Sequence, residues 1–209
     1  MSAKEVIQDY GEHSEEIEKW LELKGETKYM RFVGILQKQN EPIMWTALRD
    51  TYRYDKRLLV NLFKYLSFLE EFLRALVWNF KKDDYDRLEK TYLRLVIDEV
   101  IANNISPLNV EFSVEALNRN KDLVNYLRNR VSHNKIILES KKGEHGVKDI
   151  IQSVKQVLPT NYQAGFASDI NNCITGLCVP KSFVEAQTIR ASSQIEALFI
   201  FLALDTVSS

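Results

Sequence analysis

Residues 56–80 read KRLLVNLFKYLSFLEEFLRALVWNF, the most apolar long stretch of the chain. Leu58, Leu59, Leu62, Phe63, Leu66, Leu69, Phe72, Leu73, Leu76 and Trp78 recur at the three- and four-residue intervals of an α-helix. Asn61, Lys64, Glu71 and Arg74 leave only a narrow polar stripe. A helix this apolar must be covered on most sides, which predicts the central strut of an all-α bundle. Asp55, directly before it, is the expected N-cap.

The flanking sequence supplies the covering helices. Upstream, Pro42 suits the first turn of a separate helix through Trp45, Leu48 and Tyr52. Residues 28–39 carry Tyr29, Phe32, Val33, Ile35 and Leu36 at helical spacing, and residues 3–23 read as a glutamate-rich helical stretch broken near Gly11 and ended at Gly25. Downstream, a helix is predicted from Asp83-Asp84 to about Asn103. Ser113 is the expected cap of the next one, and Ser140 to Gly146 form a polar loop. Helical patterns follow at residues 147–158, about 161–175, and from Pro180 and Ser182 to about Asp205. There is no convincing strand alternation, repeat or low-complexity tract. The expectation is a single all-α domain over residues 1–209, with an acidic helical arm at 1–27 and a bundle at 28–209.

Hydrophobic residues at 45% and charged residues at 27% suit a soluble chain with a real core. The net charge of −1 argues against a protein coated in basic residues. Charge is nevertheless segregated. Residues 119–142 hold seven Lys/Arg against two acids, whereas residues 1–26 hold three lysines against eight acids. Cys173 and Cys178, the only cysteines, are five apart on an expected helix and badly placed for a disulfide, so buried free thiols in a reducing cytoplasm are expected. Lys4, Glu5 and Asp9 interrupt any signal-peptide-like apolar run. The longest apolar run, Ala197 to Leu204, is far short of the ~20 residues that span a bilayer and reads as a core helix, so no membrane association is expected.

The stretch that carries chemistry is Leu127-Arg128-Asn129-Arg130-Val131-Ser132-His133-Asn134-Lys135, at the end of a helical pattern. On a helical wheel Leu117, Leu123, Val124, Leu127 and Val131 make one apolar face. Arg128, Asn129, Ser132 and His133 fall on a polar arc that points away from it. A lone histidine near a helix end is commonly a structural residue answering the helix dipole. This one shares its arc with an arginine, an amide and a hydroxyl, groups suited to anions and proton transfer. With eleven arginines and three histidines in the chain, chance supplies Arg followed four to six residues later by His roughly half the time. Requiring Asn directly behind the Arg lowers this to about 0.03.

Arg128-Asn129-Arg130-Val131-Ser132-His133 resembles the Arg-x(4–6)-His signature of the HEPN superfamily (higher eukaryotes and prokaryotes nucleotide-binding). Tyr52-Arg53-Tyr54-Asp55-Lys56-Arg57-Leu58, running into Phe68-Leu69-Glu70-Glu71-Phe72-Leu73-Arg74, resembles the corresponding helices of its Abi-like (abortive infection) branch. Together these cover a core of about residues 45–137. The resemblance implies a metal-independent endoribonuclease with a toxin or phage-defence role. It further implies a homodimer whose two motifs face each other in one composite groove; besides RNA, a cognate antitoxin or defence partner is the kind of partner it suggests, and what restrains the activity is not legible in the sequence. His133 takes the family's acid/base role, Arg128 that of its arginine, and Asn129 that of the supporting polar residue. Ser132, Glu70 and Arg74 are expected to support the site, the last two as an acidic–basic pair. Arg130, Lys135, Lys121 and Arg119 are expected to bind RNA.

The chemistry asks for the same residue types independently. Cleaving RNA by its own 2′-hydroxyl needs a base in imidazole's range and a donor-rich cation on the phosphate. No metal or cofactor is expected, because His13, His133, His145 and the cysteines lack zinc-ligand spacing and no glycine-rich phosphate loop is present. Two other readings use the same surface: a non-catalytic RNA- or nucleotide-binding module, and a helical interaction protein.

Overall fold

A computed structural model gives the fold and describes residues 2–82 and 85–180. Among these residues there is no β-strand, only an isolated antiparallel bridge between Lys142 and His145. The helices are α1 (Ala3–Val6), α2 (Tyr10–Lys24), α3 (Glu26–Lys38), α4 (Trp45–Lys81), α5 (Tyr85–Glu89), α6 (Leu93–Ala102), α7 (Val114–Ser132), α8 (Val147–Val157) and α9 (Thr160–Asn172), with a 3-10 turn at Ile137–Glu139. The all-α expectation holds. The helix expected beyond Pro180, with the apolar run Ala197 to Leu204, lies outside the described residues, as do Asp83 and Asp84.

The central strut is present and longer than expected. The separate helix through Trp45 and the helix from Lys56 are one continuous element of 37 residues. Asp55 therefore is not an N-cap; it sits fully buried in mid-helix. The N-terminal end of α4 is instead capped from another element, the Asp9 carboxylate accepting the Trp45 N–H at 2.8 Å. Sequence proximity to the apolar run suggested the wrong aspartate, because the true cap lies 36 positions before Trp45.

Leu58, Leu62, Leu66, Leu69, Leu73, Leu76 and Val77 of α4 are buried under α3, α6, α7 and α9. The strut is less enclosed than its composition implies, since Val60 and Phe63 are 64% and 56% exposed. The acidic N-terminal stretch packs into the body. Ile17 is buried, and Trp20 sits edge-on to Tyr29, Trp45 and Tyr52. The helix expected over residues 83–103 is two, α5 and α6, parted at Lys90 to Tyr92. Of the two thiols only Cys173 is buried, receiving the Asn61 amide at 3.2 Å. Cys178 is exposed beyond the end of α9, which corrects the expectation for that residue.

Candidate functional site

Helix α7 carries the chemistry-bearing arc, and its sequence fixes both ends. Ser113 caps it as expected, its hydroxyl oxygen accepting the Ala116 N–H at 3.0 Å. At the other end His133 is the C-cap, and Asn134 takes the left-handed conformation (φ 51°). The Asn134 N–H reaches the Val131 carbonyl at 3.0 Å and the Lys135 N–H reaches the Arg130 carbonyl at 2.9 Å. This is a Schellman closure, with asparagine in the position glycine usually holds. Leu117, Val124, Leu127 and Val131 are buried, while Asn129, Ser132 and His133 are exposed. The outward arc read from the wheel is present at these three, while its fourth member, Arg128, is half-buried.

Arg128 leaves its own helix core and leans over α4, where its Nε donates to Glu70 Oε1 at 2.5 Å. The other oxygen of Glu70 accepts from Arg74 Nη1 at 3.3 Å. Arg74 is buried and further fixed by the Leu88 and Thr91 carbonyls, each 3.0 Å away. Glu70 is therefore a bridge between two arginines. The two terminal nitrogens of Arg128 make no hydrogen bond among the described residues and remain free to receive an anion.

Two adjoining hollows share Ser67, Glu70 and Arg128. The larger, about 480 Å³, is completed by Glu71, Arg74, Glu89 and Lys90. The smaller, about 250 Å³, is completed by Phe63, Leu66, Val131 and Ser132. The first balances three cations against three carboxylates, so it carries no large net field. The sequence-derived residues Arg128, Ser132, Glu70 and Arg74 thus meet at one place. Asn129 and His133 lie on the same exposed arc just beside it but line neither hollow.

The segment after His133 is held by a clasp that the linear sequence did not reveal. Asp55 Oδ1 accepts the N–H groups of Ile137 and Leu138 at 2.7 and 3.0 Å. Its Oδ2 has no partner. Burial pushes this carboxyl up to about 6, against the opposing pull of those two backbone donors and of Lys56 and Lys28. Lys56 Nζ donates to Asn134 Oδ1 at 2.6 Å, and Arg31 pairs with Glu139.

The expected RNA-binding residues divide. Arg130 donates to the Ile136 carbonyl and lies 5.7 Å from the Tyr126 ring centre, so its guanidinium braces the helix exit. Lys121 reaches Asp98 at 3.5 Å and Arg119 reaches Glu115 at 3.9 Å, both far along α7 from the arc. Lys135 is exposed beside His133. Ser67 and Lys90 were missed. Ser67 could have been found, being one helical turn before Glu70 on the same face. Lys90 offered no signal, because only the α5–α6 junction brings it to α4.

Among the described residues no group of three or more His, Cys, Asp or Glu side chains could hold a metal ion, and no helix is long and apolar enough to cross a membrane. No protein-family model matches the chain, and no curated protein and no solved structure gives a match to it.

Proposed function

We propose that the chain is a metal-independent endoribonuclease of the HEPN type that cuts RNA as a homodimer. The observation that carries the reading is the Glu70-held Arg128 guanidinium, its outer nitrogens free, on the same arc as Asn129 and His133. A carboxylate that fixes Nε pre-orients the rest of the planar fork toward two phosphate oxygens. That placement lowers the reorganisation needed as negative charge builds on phosphorus.

In the proposed step His133 takes the proton of the ribose 2′-hydroxyl as that oxygen bonds to phosphorus. The P–O5′ bond breaks, giving a 2′,3′-cyclic phosphate and a 5′-hydroxyl. The leaving oxygen receives its proton from the imidazolium of a second copy. Arg128 holds the non-bridging oxygens, and Asn129, one turn from His133, orients either the imidazole or the ribose. One chain offers one such histidine, which gives dimerisation a chemical purpose. The exposed Val60 and Phe63 are the surface a second copy would cover, since Phe63 also lines the hollow that holds Arg128 and Ser132. The biological role that fits is that of a toxin or phage-defence nuclease.

Incubation with RNA in EDTA, followed by product end-group analysis, tests the reading. The expected result is 2′,3′-cyclic ends and a rate about 10²–10⁴-fold lower for His133→Ala. Equal behaviour of the wild type and that variant overturns it. RNA bound but left intact over hours supports the binding-module alternative instead.

A further inference from the structure

Four cations gather around two aromatic rings beside the exit of α7. Lys28 Nζ and Lys56 Nζ lie 6.0 and 5.9 Å from the Tyr52 ring centre. Lys24 Nζ and the Arg53 guanidinium lie 5.9 and 5.6 Å from the Trp20 ring centre. The two rings are 6.3 Å apart, so three elements, α2, α3 and α4, deliver their cations to one small area.

Arg53 has a carboxylate partner, Asp50 at 3.2 Å. Among the described residues none of the three lysines has one within ion-pair distance. The nearby Asp55 is fully buried and turns one oxygen to backbone donors. Burial and the positive charges of Lys28 and Lys24 pull the Lys56 ammonium below its ordinary value, with Asp55 opposing. Cations brought together without matching acids raise each other's free energy, and a bound anion relieves that repulsion. The rings hold the cations in place through cation–π attraction rather than offering faces for bases, Tyr52 being buried.

We propose that Lys24, Lys28 and Lys56, with Arg53, form a subsite for the backbone phosphates of RNA that leads the strand to Asn134 and His133. Lys56 joins the two regions directly through its contact with Asn134. The cations are strung across two ring centres rather than converging on one point, which suits successive phosphates better than a single small anion. The subsite rests on the reading of the chain as an RNA-acting protein. It also reverses the expectation from charge counts, because the acidic N-terminal stretch contributes Lys24 to the basic surface.

The test uses labelled 2′-O-methyl RNA, which lacks the attacking hydroxyl and so reports binding alone, titrated against the full chain at several salt concentrations. Replacing Lys24 and Lys28 by alanine is expected to lower the salt slope by about 1.4, at about 0.7 per lost phosphate contact on a single strand. The loss of affinity is then roughly twenty-five-fold greater at 0.1 M than at 1 M salt. The Lys24→Arg, Lys28→Arg pair is expected to keep the wild-type slope, and its thermal melt separates charge from folding. An unchanged slope in the alanine pair, with wild type binding RNA, overturns the subsite and leaves the nuclease reading standing. A reduced slope in a chain that never cuts RNA supports the subsite and removes the nuclease. No RNA binding by wild type, or binding to phosphatidylserine vesicles in its place, overturns the subsite.

Discussion

At the scale of single residues, two carboxylates hold the candidate site. Glu70 and Arg74 are largely shielded, with side chains 16% and 11% exposed. Removing the acid strands a buried guanidinium whose other hydrogen bonds go to neutral carbonyls. Glu70→Ala is expected to lower the unfolding free energy by about 2–3 kcal/mol, read from urea denaturation. An unchanged midpoint would mark the pair as a solvent-screened surface contact. Asp55 gives a pH signature. Its folded value, about 6, lies above its ordinary 3.8, so the native state holds the extra proton between those values. The contribution of this carboxyl to stability is then fully present below about pH 4 and is lost as pH rises to about 6, by at most about 3 kcal/mol, staying level beyond. Asp55→Asn removes the proton, so the difference in stability between wild type and variant is expected to fall over that window. A constant difference would contradict the buried-carboxylate account. By turning Arg128 outward with Asn129 and His133, the wheel missed that this side chain is half-buried against α4. It could not show that Glu70, 58 positions earlier, waits on the neighbouring helix.

At the scale of elements, the ends of helices were read less well than their middles. Ser113 was legible because serine before an apolar run satisfies free N–H groups locally. The start of α4 was not, because Asp9 reaches it from the turn between α1 and α2. The α7 terminus depends on the left-handed Asn134, a conformation glycine adopts freely and β-branched residues resist. Asn134→Gly is expected to stay within about 0.5 kcal/mol of wild type, whereas Asn134→Val costs about 1–2 kcal/mol in thermal unfolding. Equal stabilities would mean that the turn does not depend on that backbone conformation. In the strut, Leu69 is fully buried, and Leu69→Ala is expected to cost about 2–5 kcal/mol. A loss under 1 kcal/mol would show that α4 is not the packed centre.

At the scale of the molecule, the all-α architecture and its central helix were legible, because the three-and-four apolar spacing is periodic and long. The site was legible in part. Residues on one helix declare a shared face, but the meeting of α4, the α5–α6 junction and α7 is a tertiary fact. The exposed Phe63 was counted with the core for the same reason: apolar composition marks a surface to be covered without saying whether the cover is intramolecular. The central claim is that two copies bring Arg128 and His133 to one phosphate. The most direct measurement is cross-linking of the full chain carrying His133→Cys and Cys178→Ser with a short bis-maleimide, Cys173 being buried. The account expects a covalent dimer joined through position 133 that is abolished by Phe63→Asp. A chain that stays monomeric, or a dimer that cannot be joined there, would contradict it.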